Sequence, residues 1–355
     1  MKKTLNKKEL PSIDLDAGHY VEAKRLGMSY TDYLAKLERD KGYEPVGAAA
    51  ELDAFERQLA AHDIIVRGNA SLVDAFYATK QSSVLFPEYI SRQVSLGMTW
   101  GKWAVALEDV IAATDTLTGT AVAQIPALDF DKEKTKASKV AEGASFPTAT
   151  ITFKDRSIKL GKVGVKFGAT YEVLRRMKLP VLNIFLQRIG YQIKKQKTEL
   201  ALLVLKDGDG NAGSAAATSN AGGTWTYAQY VKFVLSAEEG HEFTHVCMNG
   251  SFLQDMLTDT TNFPQFQSRG ILERFLETGE LVDFLGVKWT THGKMDSETM
   301  MAWEKFTSLI AYSEAGANLV ETEKVIGQQL ENSVISEMIA YGKSFNGTAS
   351  YKTKS

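Results

Sequence analysis

Residues 142–170 read EGASFPTATITFKDRSIKLGKVGVKFGAT, residues 180–208 read PVLNIFLQRIGYQIKKQKTELALLVLKDG, and the turn GDGNAG closes the run at residues 208–213. The first segment is strand-like. Ile151 and Phe153 alternate with polar residues, as do Ile158 and Leu160, and the apolar phase then shifts to Val163, Val165 and Phe167. A β-bulge near Gly161 that bends one hairpin gives such a shift, and so do two separate short strands. The second segment has apolar residues at 182, 185, 186, 189, 193, 200, 203 and 204, which is helical spacing. The pattern predicts a helix over 180–206, roughly 40 Å long. Pro180 suits its first turn and Gly208 its stop. An extended flap beside a rigid helix cannot bury its own faces and needs another surface to lie on.

Charge sets the flap apart. Between Asp131 and Gly168 there are nine Lys or Arg against four Asp or Glu, a local net of +5 in a chain whose formal net charge is -2. The near-neutral total argues against a generally basic nucleic-acid binder. At 355 residues the chain has room for two or three compact units. Cys247 is the only cysteine, so no intrachain disulfide can form. No apolar core follows the basic start MKKTLNKKELPSIDLD, and no window nears the roughly 18 apolar residues of a membrane span. The expectation is a soluble, cytoplasmic protein.

Around the flap the elements are mixed. Leu52, Phe55 and Leu59 have helical spacing, and Pro87 with Glu88 suits another helix start. Residues 100–130 are Thr-rich and β-like, SAAATSNAGG at 214–223 reads as a loop, and YAQYVKFVLSAEE at 227–239 as a helix. FTHVCMNG reads as a buried strand, FLQDML as a helix, and Gly286–Thr291, Leu309–Tyr312 and the stretch from Asn332 to Tyr351 as further strands. With no regular βαβ cadence, the fold class is α+β.

Three motifs invite chemistry. His241-Glu-Phe-Thr-His245 matches the H-E-x-x-H zinc pattern, which requires both imidazoles one helical turn apart with the glutamate as base. Here the second half looks like a strand, which would set the two residues about 13 Å apart. Gly208-x-Gly210-x-x-Gly213 matches a dinucleotide fingerprint, but a helix enters it and a loop leaves, the reverse of what phosphate binding requires. Asp207-x-Asp209-x-Asn211 opens like a calcium loop, yet Ala212 and Thr218 stand where glycine and a bidentate glutamate belong. No catalytic residue, metal or cofactor is assigned. The basic start, Met1 to Lys8, could touch nucleic acid through counterion release.

Four segments, in order, resemble the major capsid proteins of tailed bacteriophages, a fold shared with encapsulins and the herpesvirus capsid floor. VLFPEYISRQVSLGM at 84–98 resembles the N-terminal arm region, and residues 140–174 the extended loop with its V-A-E-G-A-x-x-P turn. Residues 179–213 resemble the long spine helix ending in a G-D-G turn. FTHVCMNGSFLQDML and DFLGVKWTTHGKMD resemble the axial domain, with Lys288 where the family's strand usually has proline. The likeness covers about residues 75–355. It implies an α+β phage capsid fold divided into an arm and helical region (1–130), an extended β-hairpin loop (131–170), a peripheral domain with the spine helix (171–239), an axial domain (240–325) and a return to the peripheral domain (326–355).

The resemblance further implies a non-enzymatic virion protein that self-assembles into hexamers and pentamers of an icosahedral head around double-stranded DNA, touched only weakly and non-specifically. Assembly would take place in the host cytoplasm, with scaffold, protease, portal and decoration proteins as further partners and no membrane. Lys139, Glu142, Phe146, Lys154, Arg156, Lys159 and Lys162 are the expected inter-subunit contacts of the loop. Some family members cross-link a loop lysine to a neighbour's asparagine; Lys139 and Lys154 are available here, and Phe146 occupies the turn before Pro147. Two rival functions are an encapsulin-like compartment shell and, from another class, a zinc metallopeptidase built on HEFTH.

Overall fold

A computed structural model describes the chain apart from residues 1–9, 12, 67, 102–103, 129–138, 143, 145–150, 212–213, 238–240, 269–272, 274–276, 278–282, 316–318, 326, 328, 344 and 355. The helices are α1 Gly18–Arg25, α2 Tyr30–Asp40, α3 Ala54–Ala61, α4 Lys80–Val84, α5 Phe86–Met98 and α6 Leu107–Val110. They continue as α7 Tyr171–Arg176, α8 Leu179–Asp207, α9 Tyr227–Val234, α10 Gly250–Thr258 and α11 Pro264–Ser268. The strands are β1 Ile111–Leu117, β2 Val122–Leu128, β3 Ile151–Lys159, β4 Gly161–Thr170, β5 Ala217–Asn220 and β6 His245–Met248. After these come β7 Lys288–Thr291, β8 Met300–Trp303, β9 Leu309–Glu314, β10 Leu319–Val325, β11 Leu330–Gly342 and β12 Ala349–Thr353. Helices and mixed sheets together make an α+β chain. None of the described helices is long and apolar enough to cross a membrane.

The chain forms two compact units that its sequence enters more than once. The first takes residues 1–100, 162–193 and 315–337; the second takes 101–161, 194–314 and 338–355. These boundaries differ from the linear domains expected from the sequence, because α8 and β11 each supply residues to both units.

The first unit is mainly helical. Asp53 accepts from the Glu56 N–H while the Glu56 carboxylate accepts from the Asp53 N–H, a reciprocal cap that fixes the start of α3. Pro87 sits in the first turn of α5, followed by Glu88. One core gathers Phe55 and Leu59 from α3, Tyr89, Ile90 and Val94 from α5, and Leu182, Leu186 and Ile193 from α8. α5 and α8 approach until their backbones touch: a Cβ on Gly97 would stand 2.6 Å from the Gln187 carbonyl carbon, and one on Gly190 2.9 Å from that of Val94. Only glycine allows that spacing. In the same unit β10 pairs antiparallel with the first part of β11, and β4 also pairs with β11.

The second unit is built on a five-stranded sheet of order β5-β12-β8-β6-β7. β6 runs parallel to β7 and antiparallel to β8, and β12 runs antiparallel to β8 and parallel to β5. All four residues of β6 and of β8 are buried. The sheet shares a core with α9, α10 and α11 through Trp225, Tyr230, Phe252, Met256, Phe266 and Trp289. β1 pairs parallel with β9, which pairs antiparallel with the last residues of β11. β2 and β3 form a separate two-stranded antiparallel sheet.

The structure decides the open reading at Gly161, corrects one loop and sorts the apolar residues of α8. The flap hairpin is made by β2 and β3, so it begins at Val122; β4 pairs with β11, and the phase shift at Gly161 marks a change of sheet. SAAATSNAGG is not all loop, because Ala217–Asn220 forms β5 against β12. On α8, Phe185, Leu200 and Leu203 are exposed, while Leu182, Leu186, Ile193, Leu202 and Leu205 are buried.

Candidate assembly surface

The β2–β3 hairpin is irregular by construction. Gln124 faces Ser157 and Pro126 faces Phe153, so one residue of β2 is matched by three of β3, Lys154, Asp155 and Arg156. Pro126 has no N–H to give to the ladder, which favours a break there. A bulge of this kind bends the hairpin and increases its twist. Its root is anchored in the second unit, where Ala123, Ile125 and Leu160 pack with Tyr312 and Ala340.

The expected contact residues scatter about this hairpin. Lys139 and Glu142 are exposed in the connection between its strands. Lys154 and Arg156 lie in the bulge, with side chains outside the described residues; Phe146 lies outside them altogether. Lys159 is exposed and paired with Val122, itself 48 % exposed. Lys162 is exposed at the start of β4, in the first unit, and so is not on the hairpin. At the hairpin root a cation thus stands beside an exposed apolar side chain.

Sequence reasoning missed a second patch. Val181, Ile184 and Phe185 are exposed on α8, Ile184 by 62 % and Phe185 by 57 %. A helical stripe facing one core is roughly 100° wide, and α8 carries more apolar positions than that stripe can hold. That excess was the available signal. In the second unit Phe306 is 75 % exposed, in the short turn after β8.

HEFTH, by contrast, is internal scaffolding. His245 begins β6 and His241 precedes the strand, so the helical geometry of a zinc motif is not present. His241 Nδ1 is 2.7 Å from Glu304 Oε2. His245 Nε2 is 3.5 Å from Asp109 Oδ1, its Nδ1 is 2.9 Å from Thr244 Oγ1, and its ring stacks on Trp303. Asp109 also receives Lys288 Nζ at 2.6 Å and Lys305 Nζ at 3.3 Å. The His245 hydrogen bond and the Lys288 cation outweigh burial and hold the Asp109 carboxyl well below the usual range. Lys288, the departure from the capsid-like pattern, has a second role: its N–H donates to the Thr244 carbonyl at 2.9 Å, which a proline could not do.

The G-D-G turn is equally self-contained. Gly208 has φ +86° and its N–H donates to the Val204 carbonyl at 2.9 Å, ending α8. Burial alone would raise the Asp209 carboxyl. It is instead lowered, because Oδ2 accepts from the Lys343 N–H at 3.0 Å and Oδ1 from the Asn211 N–H at 3.0 Å. No group of three or more potential metal ligands occurs among the described residues.

No family model and no curated protein matches the chain. It is similar to several solved structures. A virus-like particle subunit from Pyrococcus furiosus is 10% identical with a TM-score of 0.48, over 75% of this chain and 98% of that one. The capsid of cyanophage P-SCSP1u is 12% identical with a TM-score of 0.48, over 72% and 90%. The SrpI encapsulin of Synechococcus elongatus is 8% identical with a TM-score of 0.44, over 75% and 94%.

Proposed function

We propose that the chain is the repeating, non-enzymatic subunit of a closed protein shell, of the kind that forms a phage head from hexamers and pentamers around double-stranded DNA. The carrying observation is the β2–β3 hairpin. Its buried side chains among the described residues, Ala123 and Ile125, are at its root. An isolated two-stranded hairpin is marginal in water, so one that carries a bulge and a connection of about twenty residues is stable only against another surface. The exposed Val181, Ile184 and Phe185 offer an apolar surface of the complementary kind. In this reading Lys139, Glu142, Phe146, Lys154, Arg156, Lys159 and Lys162 lie against neighbouring copies, and packaged DNA is held by weak non-specific contacts. Scaffold, protease, portal and decoration proteins are the further partners of such a shell.

The test is direct. The chain is expressed alone and examined by size exclusion and negative-stain electron microscopy, beside a variant with residues 129–150 replaced by a short glycine-serine linker. Rings of five or six subunits or closed shells from the parent, and soluble unassembled subunits from the variant, are expected. A parent chain that stays monomeric at high concentration in both low and high salt, or a variant that still closes shells, overturns the reading.

A further inference from the structure

The chain contains two Asn-Gly pairs, Asn249-Gly250 and Asn346-Gly347. Such a pair is chemically exposed as well as a turn former. Glycine has no side chain to shield its amide nitrogen, so that nitrogen can approach the Cγ of the preceding asparagine. The approach also needs an asparagine side chain that is free to turn. On this point the fold treats the two pairs in opposite ways.

Asn249 is fully engaged. It caps α10, and its Oδ1 accepts from the Ser251 N–H and from the Ser251 hydroxyl, each at 3.1 Å. Its Nδ2 donates to the Met295 carbonyl at 2.8 Å. Both ends of the amide are held, and turning Cγ toward the Gly250 nitrogen would break the cap. Asn346 carries no such restraint. It is exposed, in the bend between β11 and β12. Among the described residues neither its side chain nor the Gly347 N–H has a hydrogen-bond partner. Gly347 has φ +76°, a conformation that glycine adopts without cost. The bend itself is anchored on both sides. Lys343 and Thr348 are fully buried, Lys343 Nζ donates to the Ser214 carbonyl at 2.8 Å, and the Thr348 carbonyl accepts from the Glu304 N–H at 3.0 Å. The fold thus presents Asn346 and Gly347 to solvent at the tip of a fixed connection.

We propose that Asn346 is a site of spontaneous covalent modification, deamidation through a cyclic imide formed with Gly347. The Gly347 nitrogen gives its proton to a solvent base and bonds to Cγ of Asn346. The Cγ–Nδ2 bond breaks, and Nδ2 takes up a proton from solvent and leaves as ammonia. Water then opens the imide at either carbonyl, giving aspartate or isoaspartate, in which the backbone runs through the former side chain. One water is consumed and one ammonia released. Either product places a new negative charge between β11 and β12. The inference is independent of the shell reading, since a free subunit carries the same bend.

The experiment incubates the folded chain in neutral buffer at physiological temperature. The peptides containing Asn249 and Asn346 are followed by mass spectrometry, with fragmentation that distinguishes isoaspartate from aspartate. The chain unfolded in guanidinium and a folded Asn346→Gln variant are sampled in parallel. In the folded chain Asn346 should convert faster than Asn249 by at least about tenfold, the factor that releasing one or two ordinary hydrogen bonds implies. Its product should be a mixture of isoaspartate and aspartate. In guanidinium the two pairs, in the similar contexts Met-Asn-Gly-Ser and Phe-Asn-Gly-Thr, should convert at similar rates. Asn346→Gln, whose longer side chain would have to close a larger ring, should lose the conversion at 346 and leave Asn249 unchanged. Equal rates at the two pairs in the folded chain overturn the proposal. So does an Asn346 that stays intact while the unfolded chain converts, and aspartate without isoaspartate would exclude the cyclic imide.

Discussion

Replacing Gly97 or Gly190 by alanine sets two effects of known size against each other. Alanine is the better helix former, by about 1 kcal/mol in a helix interior. At the α5–α8 crossing, however, the new methyl on Gly97 would lie 2.6 Å from both the carbonyl carbon and the Cα of Gln187, and that on Gly190 2.9 Å and 3.1 Å from the same atoms of Val94. Carbon atoms prefer about 3.5–4.0 Å, so the helices must part by about 1 Å. The opposing atoms are backbone and cannot rotate away. Parting thins the packing of Tyr89, Ile90, Val94, Leu182 and Leu186; a gap of about 0.5–1 Å forfeits a quarter to a half of each contact's attraction. Overpacking costs about 1–3 kcal/mol, and a rigid backbone collision belongs at the top of that range. Each variant should therefore lose about 2 kcal/mol net. In urea unfolding followed by circular dichroism, with a slope near 2 kcal/mol per molar, the midpoint falls by about 1 M. Because the first methyl already parts the helices, the double variant should lose less than the sum of the singles. Gly250→Ala, at the exposed start of α10 with nothing within 4 Å of the added atom, should lose nothing. Unchanged stability in Gly97→Ala and Gly190→Ala, or strict additivity in the double, refutes the crossing argument.

Other outcomes follow from single sites. Asp109→Asn should flatten the acid side of the stability profile: the folded carboxyl is depressed, so its contribution is complete above the ordinary Asp pKa of about 4 and is lost as pH falls through the lower folded value. Thermal unfolding from about pH 7 down to about pH 3 reads this, and parallel profiles for parent and variant would contradict it. At pH 7 the same change should cost only about 1 kcal/mol, because Lys288 and Lys305 are partly exposed. Gly208→Ala should lose about 1–2 kcal/mol, from the positive φ and from a Cβ 2.9 Å from the Ala215 nitrogen; an unchanged unfolding midpoint would count against the C-cap assignment. Ile184→Glu/Phe185→Glu should leave monomer stability within about 0.5 kcal/mol per site while abolishing rings and shells in electron micrographs. Normal shells from that variant would remove the α8 patch from the assembly surface.

Local patterns were legible where local forces decide. The expected 180–206 helix is observed as Leu179–Asp207, because Pro180 starts it and Gly208 stops it whatever the neighbours do. The start of α5 at Pro87, and β6 as a buried strand, were readable for the same reason. Pairing was not legible. β4 follows β3 after one residue yet joins β11 more than a hundred residues later, and β5 is a run of small polar residues that becomes a strand only against β12. β8, Met300–Trp303, is buried throughout and so shows no alternation that a sequence could betray. Of the surface, the flap's cationic charge could be counted, but the exposure of Ile184 and Phe185 depended on which side of α8 met the core.

The three motifs that mimic chemistry share one physical origin. A buried or half-buried polar group must find a partner, and in these motifs at least one partner comes from far along the sequence. His241 finds Glu304, His245 finds Asp109, and Asp209 finds the N–H of Lys343. Each fragment, read alone, shows half of such a pair, and half a pair looks like a ligand or a base awaiting a substrate. His241 and His245 of HEFTH and Asp209 of the G-D-G turn are thereby accounted for as fold-holding contacts within the second unit. Exposed apolar surface lies elsewhere: in Val181, Ile184 and Phe185 of α8 and in Val122 at the hairpin root. The proposed assembly draws on these surfaces, and the variants above test them one at a time.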